Sequence, residues 1–212
     1  MGRFRGELEE LLRLTNVSGY NGLSRVLDTL DLEVSKGAIA RYHALLQFIV
    51  ALDLYRRGFD VSVEEHIDGG FKADVFAESP QGSIVVEVET GYVPVDKIRF
   101  LEEFLEAKVA FKAVAYSVYA DLFIIATPSH VRLLVTPELV KPVGERDILD
   151  VMVIRELALK YDRAKASKIV WRAPMSRVDG LAYVNILNAR VHYRILGREV
   201  NRELKRMLMK ST

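Results

Sequence analysis

The stretch Phe71–Gly91, FKADVFAESPQGSIVVEVETG, constrains the fold more than any other part of the chain. Two runs rich in Val, Ile and Phe flank the turn cluster Ser79-Pro80-Gln81-Gly82, which predicts a β-hairpin. With those residues as the loop, Glu78 faces Ser83, Asp74 faces Glu87 and Lys72 faces Glu89. Alternation puts Lys72, Asp74 and Phe76 on one face, with Val85, Glu87 and Glu89 across from them. The other face carries Phe71, Ala73, Val75, Ala77, Ile84, Val86 and Val88 and is expected to be the core face. Asp74 and Glu87 then stand directly opposite, with Cβ atoms about 5 Å apart. Carboxylates that close repel, and one of them has its pKa raised. A divalent cation offsets the repulsion, because hard cations such as Mg²⁺ take carboxylate oxygens. The alternative is a solvated face on which Lys72 pairs with Glu89 and the two acids stand in water.

Asp74, Glu87 thirteen positions later and Glu89 form a pattern that resembles the PD-(D/E)XK nuclease superfamily, archaeal Holliday junction resolvases in particular. The resemblance covers roughly Ser35 to Pro128. It takes in a helix ending in Tyr55-Arg56-Arg57-Gly58-Phe59, a strand, KADVFA, IVVEVE, a second helix and the strand DLFIIATP. Length and pattern are also similar to a superfamily member of crenarchaeal spindle-shaped viruses. The resemblance implies an α/β fold, a restriction-endonuclease-like mixed β-sheet flanked by helices. It implies hydrolysis of DNA phosphodiesters, branched DNA such as Holliday junctions included, with Mg²⁺ or Mn²⁺. Asp74 and Glu87 map onto the metal-binding acids, helped by the backbone carbonyl of Val88. Glu89 sits where the superfamily usually has Lys, and is read as a general base or a ligand of a second metal. Lys72, facing Glu89, would restore the missing cation. Gln47 sits where resolvases carry a helical Glu, and Ala73 replaces the nominal Pro. The departures at 47 and 89 keep a rival open: a non-catalytic DNA-binding or assembly protein that retains the nuclease fold.

The chain has 212 residues and 50% hydrophobic content, enough to bury one full core. A single domain is expected, with a helical arm over 1–34, the core over 35–128 and a basic extension over 129–212. No segment approaches about 18 uninterrupted apolar residues, so no membrane span is expected. Glu interrupts the apolar run of MGRFRGELEELLRL, which argues against a signal peptide. The absence of Cys removes disulfides, thiolate nucleophiles and thiolate metal sites, and suits an intracellular protein, in the host cytoplasm on the viral reading. The His residues lack an HExxH spacing, and there is neither a GxxxxGK[ST] loop nor a GxGxxG motif.

Net charge of +1 conceals an asymmetry. Residues 155–212 hold 14 Lys and Arg against 5 Asp and Glu, a net +9, while the other 154 hold 16 against 24, a net −8. A basic segment on an acidic core suits phosphate binding, and Arg198, Arg202, Lys205 and Arg206 are its terminal candidates. A solvated helix face is the alternative. Resolvase-like relatives act as two-fold dimers. A homodimer is therefore expected through the N-terminal Leu stripe or through Val200, Leu204, Met207 and Leu208.

Helical spacing marks residues 5–14, a short helix near 23–30 and a long helix over 36–57 with Ser35 as N-cap and Gly58 at its end. His43 and Gln47 share a face of that helix. Gln47 is either a surface residue or a group beside the metal. Residues 59–66 read as a strand, and 67–70 as a loop. Pro94 opens a helix to about 116, with Lys97, Lys108 and Lys112 as its basic positions, and 121–127 is a buried strand. Beyond Ser129, 131–136 reads as strand or turn, 146–161 as helix, 168–172 as a short strand, 184–196 as helix or strand, and 197–210 as a basic terminal helix.

Overall fold

The computed structural model describes residues 3–15, 20–67, 70–197 and 200–210. Helix α3 (Arg41–Arg56) is buried around most of its circumference, with Ala44, Leu46, Phe48, Ile49, Val50, Ala51, Leu52 and Leu54 all inside. A helix with so little polar surface needs cover on every side. Helices α1 (Arg3–Leu14) and α2 (Ser24–Ser35) cover one side, and a six-stranded sheet covers the other.

The sheet runs in the order β1 (Asp60–Ile67), β2 (Phe71–Ser79), β3 (Gly82–Val88), β4 (Leu122–Pro128), β5 (Gly180–Asn185) and β6 (Arg190–Ile195). The first three strands are antiparallel, β3–β4 and β4–β5 are parallel, and β6 returns antiparallel to β5. The fold is thus α/β with a mixed sheet. Helix α4 (Leu101–Tyr116) carries the chain from β3 to β4 across the face opposite α3. The path from β4 to β5 holds α5 (Pro137–Val140), α6 (Ile148–Tyr161) and α7 (Arg163–Ile169), and α6 and α7 pack with α4. The terminal helix α8 (Arg202–Met209) joins the α3 side. Among the described residues, no helix is long and apolar enough to cross a membrane.

The expected hairpin register is present, from Ser79↔Gly82 to Val75↔Val86. The solvated face weighed as the alternative is not. Val85, Phe123 and Ile125 are buried under α4, so both faces of the sheet are core.

Other expectations are corrected. Ser35 does not cap α3. It ends α2, which Gly37 closes at φ +69 while its amide bonds Val34 O, and α3 begins at Arg41. Gly58, at φ +90, does close α3. Residues 168–172, expected as a strand, complete α7 and enter a 3₁₀ turn over Val170–Met175. The ambiguous span 184–196 lies in the β5–β6 hairpin, which completes the sheet. The N-terminal segment is no free arm, because Leu8 and Leu12 lie inside the α3-side core.

Both apolar ends offered for a dimer are used within the chain. Leu204 and Leu208 are buried, and Val200 and Met207 pack against the same core. Leu204→Ala should therefore destabilise the fold by about 2–5 kcal/mol. Urea unfolding measures the loss, and sedimentation of wild type and variant should give the same oligomeric state.

Candidate active site

Past Val75↔Val86 the β2–β3 ladder changes character. The Asp74 amide donates to Glu87 Oε1 at 3.0 Å, and the Val88 amide donates to Asp74 Oδ2 at 2.7 Å. Each acid thus satisfies a backbone donor of the other strand, where a sheet would ordinarily use carbonyls.

At this level β1 and β2 also exchange faces. Val75 and Ala77 lie in the α3-side core, whereas Ala73, of the same parity, lies in the α4-side core with Phe71 packed against it. On β1, Val61 and Val63 face α3, yet Ile67 packs toward α4. The expected single apolar face of the hairpin is therefore split at Asp74. Glu64 supplies the geometry: it lies between the pairs Val63↔Val75 and Glu65↔Ala73 and holds φ +52, rare for a residue with a side chain. The exchange turns Asp74 and Glu64 toward α3. Asp74 Oδ1 lies 3.0 Å from His43 Nε2 and accepts from Gln47 Nε2 at 2.9 Å, while Glu64 Oε1 accepts from the same amide at 2.7 Å.

Strand β3 keeps its alternation, so Glu87 points toward α4 and meets Lys112. The Lys112 ammonium lies 3.1 Å from Glu87 Oε2, 2.8 Å from Glu89 Oε1, 3.1 Å from the Val88 carbonyl and 3.7 Å from Asp74 Oδ2. Lys108, one turn earlier, pairs with Glu89 Oε2 at 2.5 Å. The Glu89 backbone is pinned by its amide bond to Ala126 O and by the Thr127 hydroxyl donating to its carbonyl. Glu87 and Glu89 are 2% and 4% exposed, so these charges interact with little screening by water.

The electrostatics divide the acids. Burial pushes the Glu87 carboxyl up and the Asp74 charge adds to this, placing it at about 8. Burial works the same way on Asp74, but Lys112, His43 and the Val88 amide outweigh it and hold the carboxyl well below its ordinary value. Burial is also outweighed at Glu89, where Lys112 and Lys108 bring the carboxyl down. Glu64 is raised, chiefly by burial. Burial alone would lower the Lys112 pKa, yet the acids around it raise it well above the ordinary value.

The structure thus brings Asp74, Glu87, Glu89, Gln47 and the Val88 carbonyl together. Lys72 is elsewhere. Its Nζ lies 3.2 Å from Glu33 Oε2 on α2 and 4.0 Å from Glu64 Oε2, not against Glu89. The reason is the break at Asp74, beyond which β2 is paired with β1 and no longer with β3. Arg198 lies outside the described residues. Arg202, Lys205 and Arg206 are exposed on α8. That helix sits at the turn end of the hairpin, where Asn201 donates to Gln81 O. Glu87 is five residues along β3 from Gly82, about 17 Å at the usual strand rise. The expected basic grip therefore does not flank the acids.

Sequence reasoning passed over the roles of Lys108, Lys112 and Glu64. Lys112 lies between buried Val109, Ala110, Phe111, Ala113, Val114 and Ala115, and a lysine so placed points inward and needs an acid. In FDVSVEEH, Glu64-Glu65 breaks the alternation at the point where β1 changes faces.

The oxygens expected to hold a metal, from Asp74, Glu87 and the Val88 carbonyl, do converge on one point. Lys112 Nζ marks that point, at 3.7, 3.1 and 3.1 Å from Asp74 Oδ2, Glu87 Oε2 and the Val88 carbonyl. No family model, curated protein or solved structure matches the chain.

Glu87 gives the site a pH signature. A carboxyl raised in the folded state binds its proton more tightly there than in the unfolded chain. Its contribution to stability is full below the ordinary carboxyl range and is lost as pH rises toward about 8. Glu87→Gln should flatten the decline of unfolding free energy between about pH 5 and 8 in chelator. Urea titrations across that range check the slope, and an unchanged slope would assign the proton elsewhere.

Proposed function

We propose that the chain is a metal-dependent DNA endonuclease whose active-site lysine is Lys112, delivered from α4 in place of the lysine absent at position 89. The observation that carries the reading is the Lys112 ammonium among Asp74, Glu87, Glu89 and the Val88 carbonyl. The order α3–β1–β2–β3–α4–β4 supports it, being the order that the resemblance to PD-(D/E)XK nucleases implies, with a restriction-endonuclease-like core.

Asp74, Glu87 and the Val88 carbonyl would hold Mg²⁺ or Mn²⁺. When bound, the ion polarises a phosphoryl oxygen and lowers the pKa of a water. Glu87 would hold the ion as a carboxylate, its proton released to solvent. Lys112, off these oxygens and tethered to Glu89, would neutralise the charge that builds on the phosphate. Glu89, held charged by two lysines, is a weak base, so its part is to orient Lys112 and Lys108. Arg190, His192 and Arg194 are exposed at alternate positions of the edge strand β6 and, with the α8 cations, offer phosphate contacts.

One observation favours a second reading. Each of the three protons of Lys112 has an acceptor, on Glu87, Glu89 and Val88, so the ammonium can stand in for a metal permanently. The chain would then bind DNA without cutting it.

Cleavage of duplex, flap and four-way-junction DNA with Mg²⁺ or Mn²⁺ separates the two. The nuclease reading expects cleavage that chelator abolishes. It also expects Asp74→Ala and Lys112→Met to slow cleavage at least about 100-fold. Salt-dependent binding without cleavage in either metal would favour the second reading.

A further inference from the structure

Asp74 presents its second oxygen to a different set of ligands. On the α3 side, a ring nitrogen of His43 and one carboxylate oxygen each from Glu64 and Asp74 all lie within 4.8 Å of one another. Lys112 reaches none of this group through Asp74 Oδ1, since it faces Oδ2. Three elements supply the atoms: His43 comes from α3, Glu64 from β1 and Asp74 from β2.

Gln47 points to what the group lacks. Its amide nitrogen is clamped between Glu64 Oε1 and Asp74 Oδ1, at 2.7 and 2.9 Å. Its amide oxygen, on a fully buried residue, has no hydrogen-bond partner among the described residues. A buried acceptor without a donor is costly and calls for a partner. The partner that two carboxylates, an imidazole and an amide oxygen have in common is a cation. A half-turn of the Gln47 amide exchanges its ends. The oxygen then takes the place of the nitrogen, at a spacing from the two acids that suits ligands of one ion.

The backbone is arranged to the same end. Regular alternation after Val63 would send Glu64 toward α4. The φ of +52 at Glu64 brings it to the α3 face instead, a strained conformation that recurs at ligand sites.

We propose that His43, Glu64 and Asp74, with the Gln47 amide oxygen, form a seat for a divalent transition cation, separate from the oxygen seat that Lys112 fills. The imidazole sets the class of ion. Nitrogen with carboxylate ligands suits Mn²⁺, Co²⁺ or Zn²⁺ over Mg²⁺ or Ca²⁺, whose shells are built from oxygen. The seat shares Asp74 with the proposed nuclease site but does not depend on cleavage, and Lys112 need not move for it to fill. With both seats filled, Asp74 would bridge two ions, one oxygen to each.

The test titrates the metal-free full chain with Co²⁺, read by its visible bands, and with Mn²⁺, read by pulsed electron paramagnetic resonance. The expected result is an ion coupled to an imidazole nitrogen. His43→Asn should abolish that coupling, and His43→Asn and Glu64→Gln should each weaken binding at least about tenfold. Gln47→Glu, which replaces the clamping donor with a further carboxylate, should tighten it. Glu87→Gln, which removes cleavage if the nuclease reading holds, should keep the nitrogen-coupled signal. Circular dichroism confirms that each variant is folded. The inference is overturned by an ion without nitrogen coupling, by binding that survives His43→Asn but not Glu87→Gln, or by no binding of either metal. Failure of cleavage alone leaves the seat in place, and loss of the seat alone leaves the nuclease reading in place.

Discussion

The Lys112 ammonium is the point on which this structure balances. Asp74, Glu87 and Glu89 converge in a space with little water, and without a cation that packing would be strongly unfavourable. Lysine suits the task because three donors can meet three acceptors, and its long stem crosses the α4–sheet layer among apolar neighbours. The β3–α4–β4 crossover follows from the same demand. With Glu at position 89, it is the helix lying over β3 that lowers a lysine onto Glu87 and the Val88 carbonyl. The apolar side of α4, packed on Val85, Phe123 and Ile125, fixes that height.

Asp74 makes the site two-sided. In an unbroken strand its carboxylate would face one helix layer. The exchange of faces at Glu64 and Asp74 gives Oδ1 to α3 and Oδ2 to the β3–α4 side. His43 and Lys112 therefore act on the same carboxylate from opposite layers of the fold. Substitutions in the two layers are coupled through it and will not add independently.

What the sequence made legible was local. The turn at Ser79–Gly82 and the alternation beside it set the register, and the register put Asp74 across from Glu87. Gly58 marked a helix end for a chemical reason that needs no tertiary context, whereas Pro94, read as opening a helix, leads into a 3₁₀ segment over Val95–Phe100, and the α-helix begins at Leu101. Lys112 was illegible because its partners lie 23 or more positions away, and helical spacing cannot say which helix face meets which strand edge. Lys72 misled for a related reason. Its pairing with Glu89 assumed that the ladder ran on, whereas the acids themselves end it. The terminal Leu sets are amphipathic whether their apolar side meets a second copy or their own sheet. Pattern alone could not choose, and the core of this chain did.

The reciprocal bonds between Asp74, Glu87 and the facing amides have a consequence for descent. These acids fasten two strands as well as line a site, so selection for folding retains them even where chemistry has lapsed. A silent descendant of such a protein would keep its acidic pair and lose the groups around it first, because among the described residues His43 and Gln47 bond the side chains of Asp74 and Glu64 and not the backbone. In chains built this way the acids are a record of architecture. The residues facing them from the helices are the better witness to use.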